Sequence, residues 1–212
     1  MKKNSRVLRE ILYRVFDKGE FFMSQKSLAG SCSTSMDTVN RVASKLNQFA
    51  AIDKKPFGFR VAEPRKVLMF WATTRSLSND VLYATYSPDS VSEIEEDMPE
   101  KTIFTAFSGY HKKFGRGPTG YDEVYVYADV DEVKRRFPES TAIRHNIFVL
   151  QQDQHLTKTS KGGVPPIAQM YVDLWQIGGG PANRHLLELD QSLEAKPVDA
   201  FKRLIKAGNH QA

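Results

Sequence analysis

The chain has 212 residues, 41% of them hydrophobic and 26% charged, with a net charge of +5 and a mean hydropathy of −0.45. Such values describe a soluble globular protein of one large or two small domains, and they exclude a disordered chain. No apolar run approaches the roughly 18 residues of a membrane-crossing helix, and a single cysteine excludes both a disulfide framework and a Cys-based zinc finger.

From the start, MKKNSRVLREILYRVF is basic at first, but Arg9, Glu10 and Arg14 interrupt its apolar positions. That pattern is an amphipathic helix, not a signal peptide, and the single cysteine makes the cytoplasm the expected compartment. Val7, Leu8, Ile11, Leu12, Val15 and Phe16 form its stripe, ending at Lys18-Gly19. Phe21 and Phe22 are expected to pack this helix on the next. Ser24 can cap a second helix, QKSLAG, because its side-chain oxygen accepts a free backbone N–H. Gly30, Ser31, Cys32 and Ser33 supply the tight turn of a helix-turn-helix.

A third helix begins at Ser35, with Met36, Val39, Val42, Ala43, Leu46 and Ala50 on one apolar stripe. Its other side carries Asp37, Thr38, Arg41, Ser44, Lys45 and Gln48, donors suited to phosphates and base edges. AIDKKPFGFRV then reads as a hairpin with a cationic tip. The helix pair, the turn and the basic hairpin arrive in the order of a winged helix-turn-helix, over residues 1–62. A pair of helices with a solvated charged side is the plainer alternative. Residues 1–62 hold 12 Lys and Arg against 5 Asp and Glu, a balance of +7, and the remainder holds 18 against 20, a balance of −2. A basic N-terminal part on a slightly acidic remainder places any polyanion on the first part.

Glu63-Pro64-Arg65 marks the expected boundary, since proline cannot continue a strand ladder. Residues 63–212 read as a mixed α/β C-terminal domain, giving an α+β chain overall. VLMFWA is a buried strand or the start of a helix, and 74–86 reads as a helix. Residues 87–100 hold six acids, which read as a solvated loop or helix face more readily than as a metal site. KTIFTAFSGY is a strand leading into a helix or turn. HKKFGRGPTG is a basic glycine-rich loop whose default reading is a solvated turn. Its sharper reading is a second nucleic-acid contact through Lys112, Lys113 and Arg116, with backbone N–H groups assisting.

EVYVYADV is the clearest strand, with Val124, Val126, Ala128 and Val130 on one face, and Asp131 is expected to cap EVKRRFP. IRHNIFVL gives another strand and QQDQHLTKTSKGG a polar loop. PPIAQMYVDLWQI is an amphipathic helix with Ile167, Met170, Tyr171, Leu174 and Trp175 inward. A Gly178-Gly179-Gly180-Pro181 break, a helix ANRHLLELDQSLE and a last short helix with Phe201, Leu204 and Ile205 inward complete the chain.

Chemistry is sparse. Asp122 with Glu132 and Lys134 imitates the D…E-x-K spacing of magnesium nucleases, but those enzymes need Glu and Lys on a strand and DEVKRRFP reads as a helix. The histidines are scattered, no P-loop or G-x-S-x-G elbow occurs, and Cys32 has no neighbouring His in the sequence. The sequence therefore gives no reason to expect an enzyme, a metal or a cofactor. DNA contacts are expected from Ser35, Asp37, Thr38, Asn40, Arg41, Ser44 and Lys45 of the third helix and from Lys54, Lys55 and Arg60 of the hairpin. Thr38, Asn40 and Arg41 are the base-edge candidates. A nuclease and a protein-binding adaptor are the alternatives.

With IFTAFSGYHKKFG, YDEVYVYAD and VPPIAQMYVDLWQIGGGPANRHLLELDQSLE following such an N-terminal part, the chain resembles the AbiEi family of transcriptional regulators, in an archaeal form. These are the antitoxin components of type IV toxin–antitoxin systems. The segment PPIAQMYVDLWQIGG is the most telling piece, similar to the family's apolar-Q-x-Y-x-D-L run before glycine. The resemblance implies an autorepressor that binds inverted repeats at its own operon and counters a nucleotidyltransferase-like toxin without a stable complex. It also implies that Asp37, Thr38, Arg41 and Lys45 lie in or over the major groove, with Lys54, Lys55 and Arg60 at the backbone or minor groove. Because one such module reads a short half-site, a homodimer is expected.

Overall fold

A computed structural model describes the backbone of residues 3–208 and the side chains of residues 3–193. The chain is α+β and divides into two compact units. One is Lys3–Trp71 together with the chain from Leu187, and the other is Ala72–Leu186.

In the first unit, α1 (Lys3–Tyr13) runs on through a π-helical turn, Arg14–Lys18, and stops at Gly19. Gly19 takes a left-handed φ of 73° and returns its N–H to Val15 O. Val7, Leu8, Ile11, Leu12, Val15 and Phe16 are buried, the stripe expected. Ser24 Oγ accepts from Ser27 N at 3.1 Å and starts α2 (Gln25–Ser31), while Ser35 does the same for α3 (Met36–Gln48) through Thr38 N at 3.3 Å. Leu28, Val39, Val42, Ala43 and Leu46 close the core. Each Val or Leu contributes roughly 1.5–3 kcal/mol by leaving water. Buried Arg14 ties α1 to α2. It donates to Glu10 Oε1 at 2.7 Å, Ser27 Oγ at 3.0 Å and Ser31 Oγ at 2.8 Å, so its charge is paired and hydrogen-bonded.

Strands β1 (Phe22–Met23), β2 (Ile52–Lys55) and β3 (Gly58–Val61) form an antiparallel sheet of order β1-β3-β2. Lys55 pairs with Gly58, which leaves Pro56 and Phe57 as the hairpin tip. Met23, Ile52, Phe59 and Val61 face the core, and Phe22, Asp53 and Arg60 share the outer face. Three expectations fail here. Phe22 is exposed because the two-residue strand alternates and gives its inward place to Met23. Met36 is half exposed, as first residue of α3, and Ala50 lies past the end of α3 at a left-handed φ of 49°.

The second unit starts within α4 (Pro64–Thr74), so VLMFWA is helical. Where a helix was expected over 74–86, a 3-10 turn (Ser78–Asp80) leads into β4 (Val81–Thr85). The alternation of inward Tyr83 and Thr85 with Leu82 and Ala84 suits a strand, and pairing with Ile147–Leu150 outweighs the local helical pattern. The acidic segment forms α5 (Val91–Glu96). There Ser90 Oγ accepts from Glu93 N, and Glu93 accepts in return from Ser90 N, a reciprocal cap. Next come β5 (Ile103–Thr105), α6 (Ala106–Phe114), β6 (Val124–Tyr127), α7 (Val130–Arg136) and β7 (Ile147–Leu150).

The sheet order is β4-β7-β6-β5, with β6 and β7 parallel and the other pairs antiparallel. β6 is buried on both faces, and it ends at Tyr127, so Val130, expected on the strand, opens α7 instead. Val124 and Val126 join Ile94, Val133, Ile147 and Val149 in one core, while α6 and the later helix Ile167–Ile177 contact the β5–β6 edge of the sheet. Asp129, not Asp131, caps α7, accepting from Asp131 N and Glu132 N. The expected polar loop after β7 contains α8 (Gln154–Thr159), capped by Asp153. In α9 (Ile167–Ile177) the expected residues are buried except Trp175, which is 40% exposed and stacks on Tyr171. Left-handed Gly178 and Gly179 break the chain before α10 (Gly179–Gly208), which continues through the segment expected to be a separate last helix. Phe201, Leu204 and Ile205 lie outside the described side chains.

Buried beside β5, β6 and α9 is a polar network. Asp173 accepts from Arg75, from Gln169 at 2.9 Å, from Tyr127 at 2.9 Å and from Thr105 at 2.6 Å. Arg75 also donates to Tyr127 Oη at 2.8 Å and pairs with Asp80 at 3.3 Å. Gln169 and Asp173 belong to the Q-x-Y-x-D segment singled out in the sequence, so its polar positions fix α9 against strand residues.

Candidate nucleic-acid interface

The stretch of α3 after its cap turns two faces apart. Asp37, Asn40, Arg41, Ser44 and Lys45 are exposed, as expected. Thr38 is not. It is 3% exposed, with its hydroxyl 3.1 Å from Ser35 Oγ and accepting from Arg41 Nη2 at 3.4 Å. Position 38 follows the cap by three residues, which turns its side chain back over the helix start. Thr38 is therefore corrected from a base-edge candidate to a residue that holds Arg41 and the cap. Ser35 spends its hydroxyl on the same cap.

In the hairpin, Lys54, Lys55 and Arg60 are all exposed. Arg60 stands between Asp53 and Phe22 on the outer face of the sheet. Between the hairpin tip, the start of α2 and the start of α3 runs a groove of about 300 Å³, lined by Ser24, Gln25, Lys26, Met36 and residues 54–58. The close fit of Gly58 draws the tip in, for any Cβ there would overlap the backbone of Met23. Sequence reasoning missed Lys26, Met36 and Phe57 as groove residues. The β1–β3 pairing and the close approach of Gly58 to Met23 bring them together, and neither is announced by a glycine in a hairpin.

Across α2, α3 and the hairpin the acids are Asp37 and Asp53, against Lys26, Arg41, Lys45, Lys54, Lys55 and Arg60, all of them exposed. The surface is thus cationic with exposed apolar points at Met36 and Phe57. Such a face can neutralise phosphates and offer donors to base edges.

The second cationic segment is built differently. His111 to Phe114 complete α6, and Gly115 N–H returns to His111 O at 2.8 Å. These backbone N–H groups serve the helix, so they form no phosphate cradle. Lys112 sits 3.7 Å from Glu95 Oε2 and over the Phe104 ring at 4.2 Å. Lys113 is half-buried and Arg116 exposed. Lys112 and Lys113 in the last turn complement the dipole at the helix C-terminus, which explains their clustering without a ligand.

Asp122 lies in the loop before β6, while Glu132 and Lys134 are exposed on α7. The strand placement that a D…E-x-K nuclease needs is absent from these residues. Among the described residues no three His, Cys, Asp or Glu side chains gather as a metal site, and no helix is long and apolar enough to cross a membrane. Cys32 is buried, 3.5 Å from Arg6 O, and burial with the nearby Glu10 charge pushes its thiol up to about 12. Comparison with known proteins gives no matching family model, curated protein or solved structure.

Proposed function

We propose that this chain is a sequence-specific DNA-binding transcriptional regulator, with α1–α3 and the β2–β3 hairpin acting as a winged helix-turn-helix. The observation that carries the reading is the excess of exposed cations on α3 and on the hairpin. Arg41 and Lys45 project from α3, Lys54, Lys55 and Arg60 project from the hairpin, and one groove joins the start of α3 to the hairpin tip. In this reading α3 enters the major groove, with Asn40 and Arg41 at base edges. The hairpin cations meet the adjacent phosphates or minor groove and release counterions.

A single module reads a short half-site, so the working form is a homodimer on an inverted repeat. The resemblance to AbiEi-like regulators adds a role as the autorepressing antitoxin of a nucleotidyltransferase-like toxin. The test is a gel-shift titration on DNA from upstream of the protein's own gene, with scrambled DNA of equal length as competitor, at low and physiological salt. Preference for the upstream fragment that survives physiological salt supports the regulator. Equal, salt-labile binding to both fragments overturns it.

A further inference from the structure

The hairpin tip has an unusual composition for a two-residue turn. Tight hairpins favour Asn-Gly, Asp-Gly or Gly-Gly, because these adopt the required backbone and suit water. Here the tip is Pro56-Phe57, and Phe57 is 86% exposed. An aromatic ring left in water at a turn loses the transfer free energy that burial would supply. Lys54 and Lys55 precede the tip, and Gly58 behind it fits directly against the backbone of Met23 and Ser24. An apolar ring on a well-anchored stem, with cations at its base, suits one kind of surface: a stacked, negatively charged one.

We propose that Phe57 is a wedge that inserts from the minor groove at a base step of the bound duplex, unstacking it and bending the DNA. This rests on the DNA-binding reading above and deepens it. Apolar side chains used in this way kink duplexes by roughly 20–90°, and neighbouring cations hold the flanking phosphates. Flexible TA and CA/TG steps are the least costly to open, so the preferred site carries such a step where the hairpin reaches. Specificity then extends to a position read by deformability and not by hydrogen bonds.

The test uses the full chain and an upstream duplex labelled at both ends for energy transfer, with 2-aminopurine placed in turn at its TA and CA steps. The expected result is a shortened end-to-end distance and raised 2-aminopurine fluorescence with the unaltered protein. Phe57→Ala loses both signals and the part of the preference that the opened step supplies, while the contacts of α3 keep a reduced preference for the upstream fragment over scrambled DNA. Phe57→Leu, which retains an apolar wedge, keeps part of the bend. Straight DNA in a specific complex, or an equal bend with Phe57→Ala, overturns the wedge and leaves the regulator standing. Loss of preference for the upstream fragment by the unaltered protein is read in the competition itself, and it removes both proposals. Self-association in the absence of DNA that Phe57→Ala abolishes, with bending unchanged, assigns the ring to a second copy and also overturns the wedge.

Discussion

Arg75 and Asp173 stand 98 positions apart in the sequence and meet as a fully buried charge pair. Burial works against the Arg75 charge, but Asp173, Tyr127 and Asp80 more than offset it and hold the guanidinium protonated. Thr105 and Gln169 complete the carboxylate's hydrogen bonds. Removing one partner strands the other charge in a low-dielectric site, which costs about 3–5 kcal/mol. Arg75→Met and Asp173→Leu are each expected to lower the unfolding free energy by that amount, read as a fall in the urea midpoint. The double variant should recover much of it, because two apolar groups leave no orphaned charge. A double variant as unstable as the sum of the singles would show that the network acts through shape and not charge.

Alkaline pH should weaken the fold through three tyrosines. Burial raises the phenol of Tyr127 well above its usual value near 10, with Arg75 opposing and Asp173 adding. Tyr125 is raised by burial and by Glu123, and Tyr121 by burial and its hydrogen bond to Glu95. The unfolded chain releases these protons near pH 10 while the native chain keeps them. Stability therefore is intact below that value and falls as pH rises above it. Absorbance titration at 295 nm should show fewer phenolates in the native protein than in denaturant at pH 10.5. Tyr127→Phe should flatten the alkaline fall in stability.

Cys32 should behave as an inert core residue. Its thiol is pushed up to about 12 and has no solvent access, so almost no thiolate is available at pH 8. Iodoacetamide is expected to leave the native chain unmodified over hours and to label it fully in urea. Rapid native labelling would show that the α2–α3 turn opens readily.

The N-terminal elements were legible because local signals agree there. Ser24 and Ser35 are capping residues ahead of apolar stripes, and Lys55 to Gly58 closes a short hairpin, all within a few residues of one another. Thr38 escaped because the cap bends its side chain inward, a geometric consequence that the helical period alone does not carry. In the second unit β4 was misread because its pairing with β7 joins residues more than 60 apart. The Arg75–Asp173 pair was invisible for the same reason. Asp173 sits in an apolar helix whose period marks position 173 only as a polar interruption. The hairpin groove depended on Gly58 approaching Met23, a long-range contact with no sequence signature.

Gly58 and Gly30 should respond oppositely to alanine. A Cβ at Gly58 overlaps the Met23 backbone, so the hairpin must shift. Overpacking of that kind costs typically about 1–3 kcal/mol. At Gly30 nothing lies within 4 Å of a new Cβ, and the residue is exposed in α2. Alanine there should stabilise by roughly 0.5–1 kcal/mol by restricting the unfolded chain. Thermal melts of the two variants check both signs, and a stable Gly58→Ala would mean that the hairpin is free to move away from β1.

Arg41 and the hairpin lysines should be separable by salt and sequence. Arg41 stands on the outward face of α3, braced by Thr38, where a guanidinium can grip a guanine edge with two hydrogen bonds. Lys54 and Lys55 are exposed at the hairpin and carry only point charges toward phosphates. Arg41→Ala is expected to lose about 1–3 kcal/mol on the upstream fragment and far less on scrambled DNA. Lys54→Ala and Lys55→Ala should weaken both fragments alike. Each should also reduce the slope of log K against log salt by about 1. Thr38→Ala, which removes the brace without touching DNA, should share the direction of Arg41→Ala at smaller size. If Arg41→Ala weakens both fragments equally and also reduces the salt slope, Arg41 is a phosphate contact and sequence is read elsewhere along α3.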